Sequence, residues 1–365
     1  MIKCHNLDRM FVQVKDEYFT HMETIARNDK ITDGWFVSKV EHWLQTEFGR
    51  KHCLLTGTGT QALYLSLLVN SIGPGDKVII TGYSCMASIT PIYSLGATAI
   101  LVDVDSHGLM DTNLLGDIEV TSDVKAIIAT GLYGDSYNHN RVRAFAIEHN
   151  LVYINDASQS YLGRWAGRDP ACFGDLTTLS FAENKSLPTF GTHGAILTDD
   201  TPTYYKLLHM RKHGKPYRTA PFTSRGTNAL PFEERASQIY TAINHYKKWQ
   251  KRKAQIWAYY DDIFCDSEVV IRAISPDVIS NYHKYVFFVP NRHHKFDFQK
   301  LLKQKGIDTE AHYPDAFCNL DWVDSEFQPE SDFYAKQALT IPSNAFMTDL
   351  EVEYVGQMVK ECYNQ

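Results

Sequence analysis

Short apolar, β-branched runs recur along the chain: KVIITGYS, ATAILVDVD, VKAIIATGLYG, LVYINDAS and LTTLSF. Their apolar residues are consecutive rather than alternate, the pattern of strands buried on both faces. Helical or loop segments separate them. Such alternation predicts βα units and a mainly parallel sheet flanked by helices, an α/β fold. In open sheets of this class the ligand sits beyond the carboxyl ends of the strands. Asp103, Asp105, Asp156 and Ser180, with Lys185 just beyond, fall at or after such ends. Acids there also serve as turn and cap residues, so placement alone leaves both roles open.

The rest of the chain supplies the cover and a second unit. Residues 16–28 and a run carrying Val37, Val40, Leu44 and Phe48, stopped by Gly49, predict helices ahead of the sheet. Residues 211–232 read as loop. After them Ile239, Ala242, Ile243, Tyr246, Trp249, Ile256 and Tyr260 recur near helical spacing, and KKWQKRK reads as the solvated face of that helix. KYVFFVP predicts a strand, FDFQKLLKQ a helix ending at Gly306, and Thr348 with Glu351 a capping box opening the last helix. At 365 residues the chain has room for a large domain with a smaller C-terminal α+β domain, and the division is expected at 1–245 and 246–365.

A formal charge of -7 without a long basic tract argues against nucleic-acid coating, while leaving room for a local basic pocket. The N-terminal residues lack a continuous apolar stretch, and no segment approaches bilayer length, so a cytoplasmic protein without a membrane partner is expected. The 7 cysteines are scattered without a CxxC pair, which predicts reduced thiols and no metal site.

Chemistry enters with Lys185, in SFAENKSLPTFGTHGA. An amine becomes catalytic by forming a Schiff base with a carbonyl, and pyridoxal phosphate is the commonest bound carbonyl used this way. That cofactor needs a lysine for its aldehyde, a carboxylate for its ring nitrogen, donors for its phosphate and a partner for its phenolic oxygen. NDASQS offers Asp156 and Gln159 just past a buried strand. LLTGTGTQALYLSLL passes from a strand through Gly57, Gly59 and Thr60 into a helix; its first N–H groups suit a phosphate, although an ordinary threonine-capped helix has the same form.

These pieces together resemble the DegT family of sugar aminotransferases, which have the fold type I architecture of pyridoxal-phosphate transferases. The likeness runs nearly end to end and is carried by TGTGTQAL, GPGDKVI, LGATAILVDVD, NDASQS, FGDLTTLSFAENKSL, GTN followed by EERAS, and AHYP. The resemblance implies that Lys185 carries the cofactor as a Schiff base, Asp156 meets the pyridine nitrogen and Gln159 the phenolic oxygen. It assigns the phosphate to Gly59, Thr60 and Ser180, with Asn228 reaching it from the neighbouring subunit of a homodimer. His312 and Tyr313 match the segment near the sugar. The implied activity is amination of a nucleotide-linked keto-deoxysugar, with glutamate as donor, by a ping-pong exchange through pyridoxamine phosphate. A cyclitol ketone, lyase or aldolase chemistry, and a cofactor-binding regulator are the alternatives.

The chain departs from the family pattern in three places. Cys85 stands where an aromatic usually covers the cofactor ring, with Tyr83 nearby as a substitute. His193 replaces a glycine. Ala229, Leu230 and Pro231 follow Asn228 where an arginine is usual, leaving Arg211, Arg218 or Arg225 to supply that base.

Overall fold

The computed structural model describes residues 1–216 and 219–365. Two helices come first, α1 (Leu7–Asn28) and α2 (Trp35–Phe48). The predicted face of α2, Val37, Val40, Leu44 and Phe48, is buried, and Gly49 ends the helix at φ 61°, a left-handed conformation that glycine adopts without strain. Helix α1 begins earlier than the pattern predicts.

The strands follow in alternation with helices: β1 (His52–Thr56), α3 (Gly59–Val69), β2 (Lys77–Thr81), α4 (Met86–Ser94), β3 (Thr98–Val102), β4 (Val124–Thr130), α5 (His139–Glu148) and β5 (Val152–Asp156). The short β6 (Arg164–Trp165) leads to β7 (Leu176–Ser180), β8 (Gly194–Thr198) and α6 (Thr201–Met210). The main sheet has the order β1-β8-β7-β5-β4-β2-β3. Strand β8 runs antiparallel to both neighbours, and the remaining pairings are parallel. Alternate residues enter opposite cores. Val78, Ile80, Ala126 and Ile128 face the cluster holding α3 and α4 residues, whereas Ile79 and Ile127 join Tyr83, Tyr133 and Tyr153 on the other side. This is why those strands read as continuous apolar runs.

The long helix α7 (Glu233–Cys265) links two cores. Its N-terminal half packs Ala236, Ile239, Ala242 and Trp249 with α1 and α2, and Ile256, Trp257, Tyr260 and Phe264 belong to the C-terminal cluster. That cluster is built on β9 (Val270–Ile271), β11 (Tyr285–Phe288) and β12 (Ala338–Ile341), a sheet ordered β12-β11-β9, while β10 (Val278–Ile279) pairs with β6. Helices α8 (Lys295–Gln304) and α10 (Asp349–Tyr363) complete it, whereas α9 (Pro329–Gln337) packs Tyr334 and Ala335 into the core under the main sheet; the Thr348–Glu351 capping box is present. The N-terminal arm crosses over to this half: Ile2 N donates to Gly306 O at 2.7 Å, and Asp308 N to Ile2 O at 2.9 Å. No helix among the described residues is long and apolar enough to cross a membrane.

Candidate active site

Residues of the site gather at one edge of the main sheet, where β1, β2, β4, β5 and β7 end. Gly194 sets the geometry there. It pairs with Thr56 on one side and Ser180 on the other, and a Cβ on it would lie 2.3 Å from Thr58 O, so only glycine lets the turn into α3 pass over β8. Thr58 caps α3 by accepting Gln61 N at 3.0 Å. The N–H groups of Gly59 and Thr60 lie in the first turn and have no intrahelical acceptor. A Cβ on Gly59 would stand 3.0 Å from Ser180 Cβ. Gly59, Thr60 and Ser180, distant in sequence, thus form one cradle with the positive end of a helix behind it.

Asp156, the last residue of β5, is 4% exposed. Its carboxylate accepts Ser88 Oγ at 3.1 Å, Ser158 N at 3.1 Å and Thr178 Oγ1 at 3.5 Å. No described lysine, arginine or histidine forms an ion pair with it. A buried carboxylate supported only by neutral donors is a place made for a cation. Gln159 Oε1 accepts Tyr133 N at 3.1 Å, and its Nε2 donates to Tyr313 Oη at 2.8 Å.

Lys185 follows β7 in a turn closed by its own N–H on Ala182 O at 3.0 Å. Tyr161 pins the segment, donating to Ser180 O at 3.2 Å and accepting Leu187 N at 3.0 Å. Asn281 ties it to the Gln159 loop, its Nδ2 reaching Gln159 O, Tyr161 O and Ser186 Oγ at 2.9, 2.8 and 3.0 Å. Burial pushes the Lys185 ammonium below its ordinary range, and Lys284 adds to this; nearby Cys85, Asp156 and Glu183 oppose it. A lowered amine is more often the neutral nucleophile.

Other expected residues fall in more varied places. Cys85 caps α4 without a side-chain bond and lies near Lys185. Tyr83 does not take the place of the missing aromatic: it is 0% exposed, and its hydroxyl meets Tyr133 Oη at 3.0 Å and Tyr313 O at 3.3 Å. Tyr313 accepts a hydrogen bond from Gln159 and lies near Cys85 and Asp156. The His312 imidazole is pushed down to about 3 by burial and by Lys284, against the pull of Glu310; its buried Nδ1 makes no hydrogen bond and lies 3.8 Å from Glu310 Oε2. Asn228 is exposed, and its carbonyl accepts Gln61 Nε2 of its own chain at 3.0 Å. His193 is buried and kept neutral by desolvation.

Of the candidate replacement bases, Arg211 is committed to Asp33 at 2.8 Å and Leu55 O at 2.6 Å, Arg225 is exposed, and Arg218 lies outside the described residues. Asp103 and Asp105 are structural: Asp103 receives Glu330 N, Ser331 N and Ser331 Oγ at the start of α9, and Asp105 closes a turn onto His107 N and Leu109 N.

A cavity opens at the Lys185 turn, lined by Lys185 itself and by Lys253, His283, Lys284 and Ser343 among others. The KKWQKRK stretch is therefore not simply solvated. Trp249 is buried, Arg252 pairs with Asp349 at 2.6 Å and Lys253 faces the cavity. Helical periodicity identified the apolar side of α7 but carried no signal for which lysine meets the C-terminal half.

The fold, a mainly parallel sheet flanked by helices, is that of solved aminotransferases. Residues 12–360 match the sequence model of the DegT/DnrJ/EryC1/StrS aminotransferase family, and the chain belongs to that family and is an aminotransferase. It is 27% identical to a "Pleiotropic regulatory protein" of Geobacillus stearothermophilus, covering 98% of this chain and 97% of that one. It is 25% identical to the UDP-2-acetamido-2-deoxy-3-oxo-D-glucuronate aminotransferase of Pseudomonas aeruginosa, covering 97% and 98%. A crystal structure of a DegT DnrJ EryC1 StrS aminotransferase from Brucella abortus superposes with a TM-score of 0.92 at 20% identity over 100% of both chains.

Proposed function

We propose that this chain is a pyridoxal-phosphate aminotransferase that converts the keto group of a nucleotide-linked deoxysugar to an amine, with glutamate as donor, working in the cytoplasm as a homodimer. The observation that carries this reading is Asp156, a buried carboxylate without a counter-ion in the same site as a desolvated Lys185. When bound, pyridoxal phosphate supplies an aldehyde that condenses with amines and a protonated ring that withdraws electrons from the carbon losing its proton. Asp156 would keep the ring nitrogen protonated, Gln159 would orient the phenolic edge, and Gly59, Thr60 and Ser180 would hold the phosphate. Asn228, exposed at the start of α3, reaches the partner subunit's phosphate. With the cofactor held, Lys185 Nζ would take the proton from the donor α-carbon and pass it to the former aldehyde carbon in the first half-reaction, and would run the same transfer in reverse onto the sugar carbon in the second. His312 and Tyr313 border the sugar. The two cores joined by α7 support the division at 1–245 and 246–365.

Mixing the cofactor-loaded protein with glutamate tests this reading. The visible band of the lysine-bound cofactor is expected to disappear and to return with a nucleotide-linked keto-sugar. Persistence of the band with every amino donor would favour a binding-only regulator.

A further inference from the structure

The cavity that Lys185 lines holds a second positive charge without an anion. Lys253, on α7, is half-buried, lines this cavity and forms no hydrogen bond or ion pair with any described residue. Lys284 is satisfied: its Nζ donates to Glu310 Oε2 at 2.6 Å, and Glu310 Oε1 meets His5 Nε2 at 2.8 Å. Burial opposes ionisation of Glu310, but His5 and Lys284 outweigh it and hold that carboxyl well below its usual range. Glu183 is the acid among the described lining residues; it is exposed, so solvent screens it.

Burying an ammonium without a partner costs several kcal/mol. Burial, with Lys284, brings Lys253 down to about 8, so it keeps its charge at neutral pH. His283 lines the same cavity as both lysines, and desolvation, followed by the charges of Lys185, Lys284 and Lys253, holds its imidazole well below its ordinary range. Its ring and the hydroxyl of Ser343 make no hydrogen bond with a described residue and border the same space. Besides Lys185, which is committed to the reacting group, Lys253 is the lysine of this wall without an anion among the described residues, and beside neutral polar groups it matches one negative charge.

We propose that Lys253 binds a carboxylate distal to the reacting carbon, so that a molecule spans from Lys185 past His283 to Lys253. The inference rests on the aminotransferase reading and deepens it by giving the substrate an acid at its far end. That acid is the side-chain carboxylate of a dicarboxylic amino donor or the carboxylate of a uronic sugar.

The test is a calorimetric titration of the cofactor-loaded protein with glutarate, comparing wild type, Lys253→Met and Lys253→Arg. The methionine variant should bind about ten- to a hundredfold more weakly, the loss of one charge-assisted hydrogen bond, and the arginine variant should recover most of the affinity. Unchanged thermal midpoints exclude a folding defect. The source is separated by KM: a rise for glutamate but not glutamine in the first half-reaction assigns the donor, and a rise confined to a nucleotide-linked keto-uronate assigns the sugar. Equal glutarate affinity in wild type and Lys253→Met overturns the proposal. Failure of the aminotransferase reading is distinct, because it would appear as a cofactor band that glutamate leaves unchanged in the wild type.

Discussion

Asp156, a buried carboxylate near Lys185, and Lys253, a half-buried ammonium on the cavity that Lys185 lines, each lack an ion pair among the described residues. The first is assembled at strand ends. β5 delivers Asp156, β7 delivers Ser180, and β1 leads into the α3 turn, with hydrogen bonds from Ser88, Ser158, Asn281 and Tyr161 fixing the parts. The second is assembled from a helix, an extended segment ahead of β11 and a loop after β12, held by the Lys284–Glu310–His5 contacts. A site made from strand ends is rigid and suits a group that stays bound. A cavity walled by elements of two cores has fewer fixed donors and suits a molecule that must enter and leave.

The largest expected effect removes the residue both sides share. Lys185→Ala should abolish the visible band of the lysine-bound cofactor and lower turnover by about 10⁴-fold or more, the scale seen for catalytic nucleophiles. A variant keeping band and activity would sink the assignment. Asp156→Asn breaks only the strand-end side: turnover should fall by about 10²-fold, as for loss of one preorganised electrostatic group. Glutarate binding at Lys253 should be unaffected, and calorimetry reads this directly. If both fall together, the two sides are not separable.

Gly194→Ala probes the cradle by packing rather than charge. Its Cβ would meet Thr58 O at 2.3 Å, and overpacking of this kind costs about 1–3 kcal/mol. Denaturant melts should show that loss together with weaker cofactor retention. The smallest effect concerns acid sensitivity on the cationic side. His312 is lowered to about 3, against an ordinary value near 6.5. Between these values the unfolded chain takes up a proton that the folded chain refuses, so stability falls as pH drops through that window, by up to about 1 kcal/mol per pH unit. His312→Gln should flatten the dependence of the thermal midpoint on pH between about 6.5 and 5; an unchanged slope would show that His312 does not carry it.

Much of the strand-end side was legible because its residues sit at the boundaries of local patterns. Consecutive apolar runs located the strands, their ends located Asp156 and Ser180, and the glycines after β1 located the α3 turn. The same logic overreached at Asp103 and Asp105, which also follow a strand but cap α9 and close a turn. A carboxylate at a strand end looks alike in sequence whether it faces a ligand or a helix terminus. Tyr83 was misjudged for a related reason: its position beside Cys85 implied access to the site, yet its ring is enclosed between Tyr313 and Tyr334.

The order of strands and helices, the α2 face, the capping box of α10 and the succession Gly59, Asp156, Gln159, Ser180, Lys185 follow from the amino-acid sequence alone. Each depends on neighbours within a few turns or on one strand's period. The roles of Gly194, Asn281 and Lys253 are decided only by tertiary structure. Gly194 matters because a turn more than a hundred positions earlier crosses it, Asn281 because it joins two loops of the larger core, and Lys253 because α7 turns that one side chain into a cavity walled by the C-terminal half. Periodicity states which face of an element is covered, but which distant side chain covers it depends on how the elements pack.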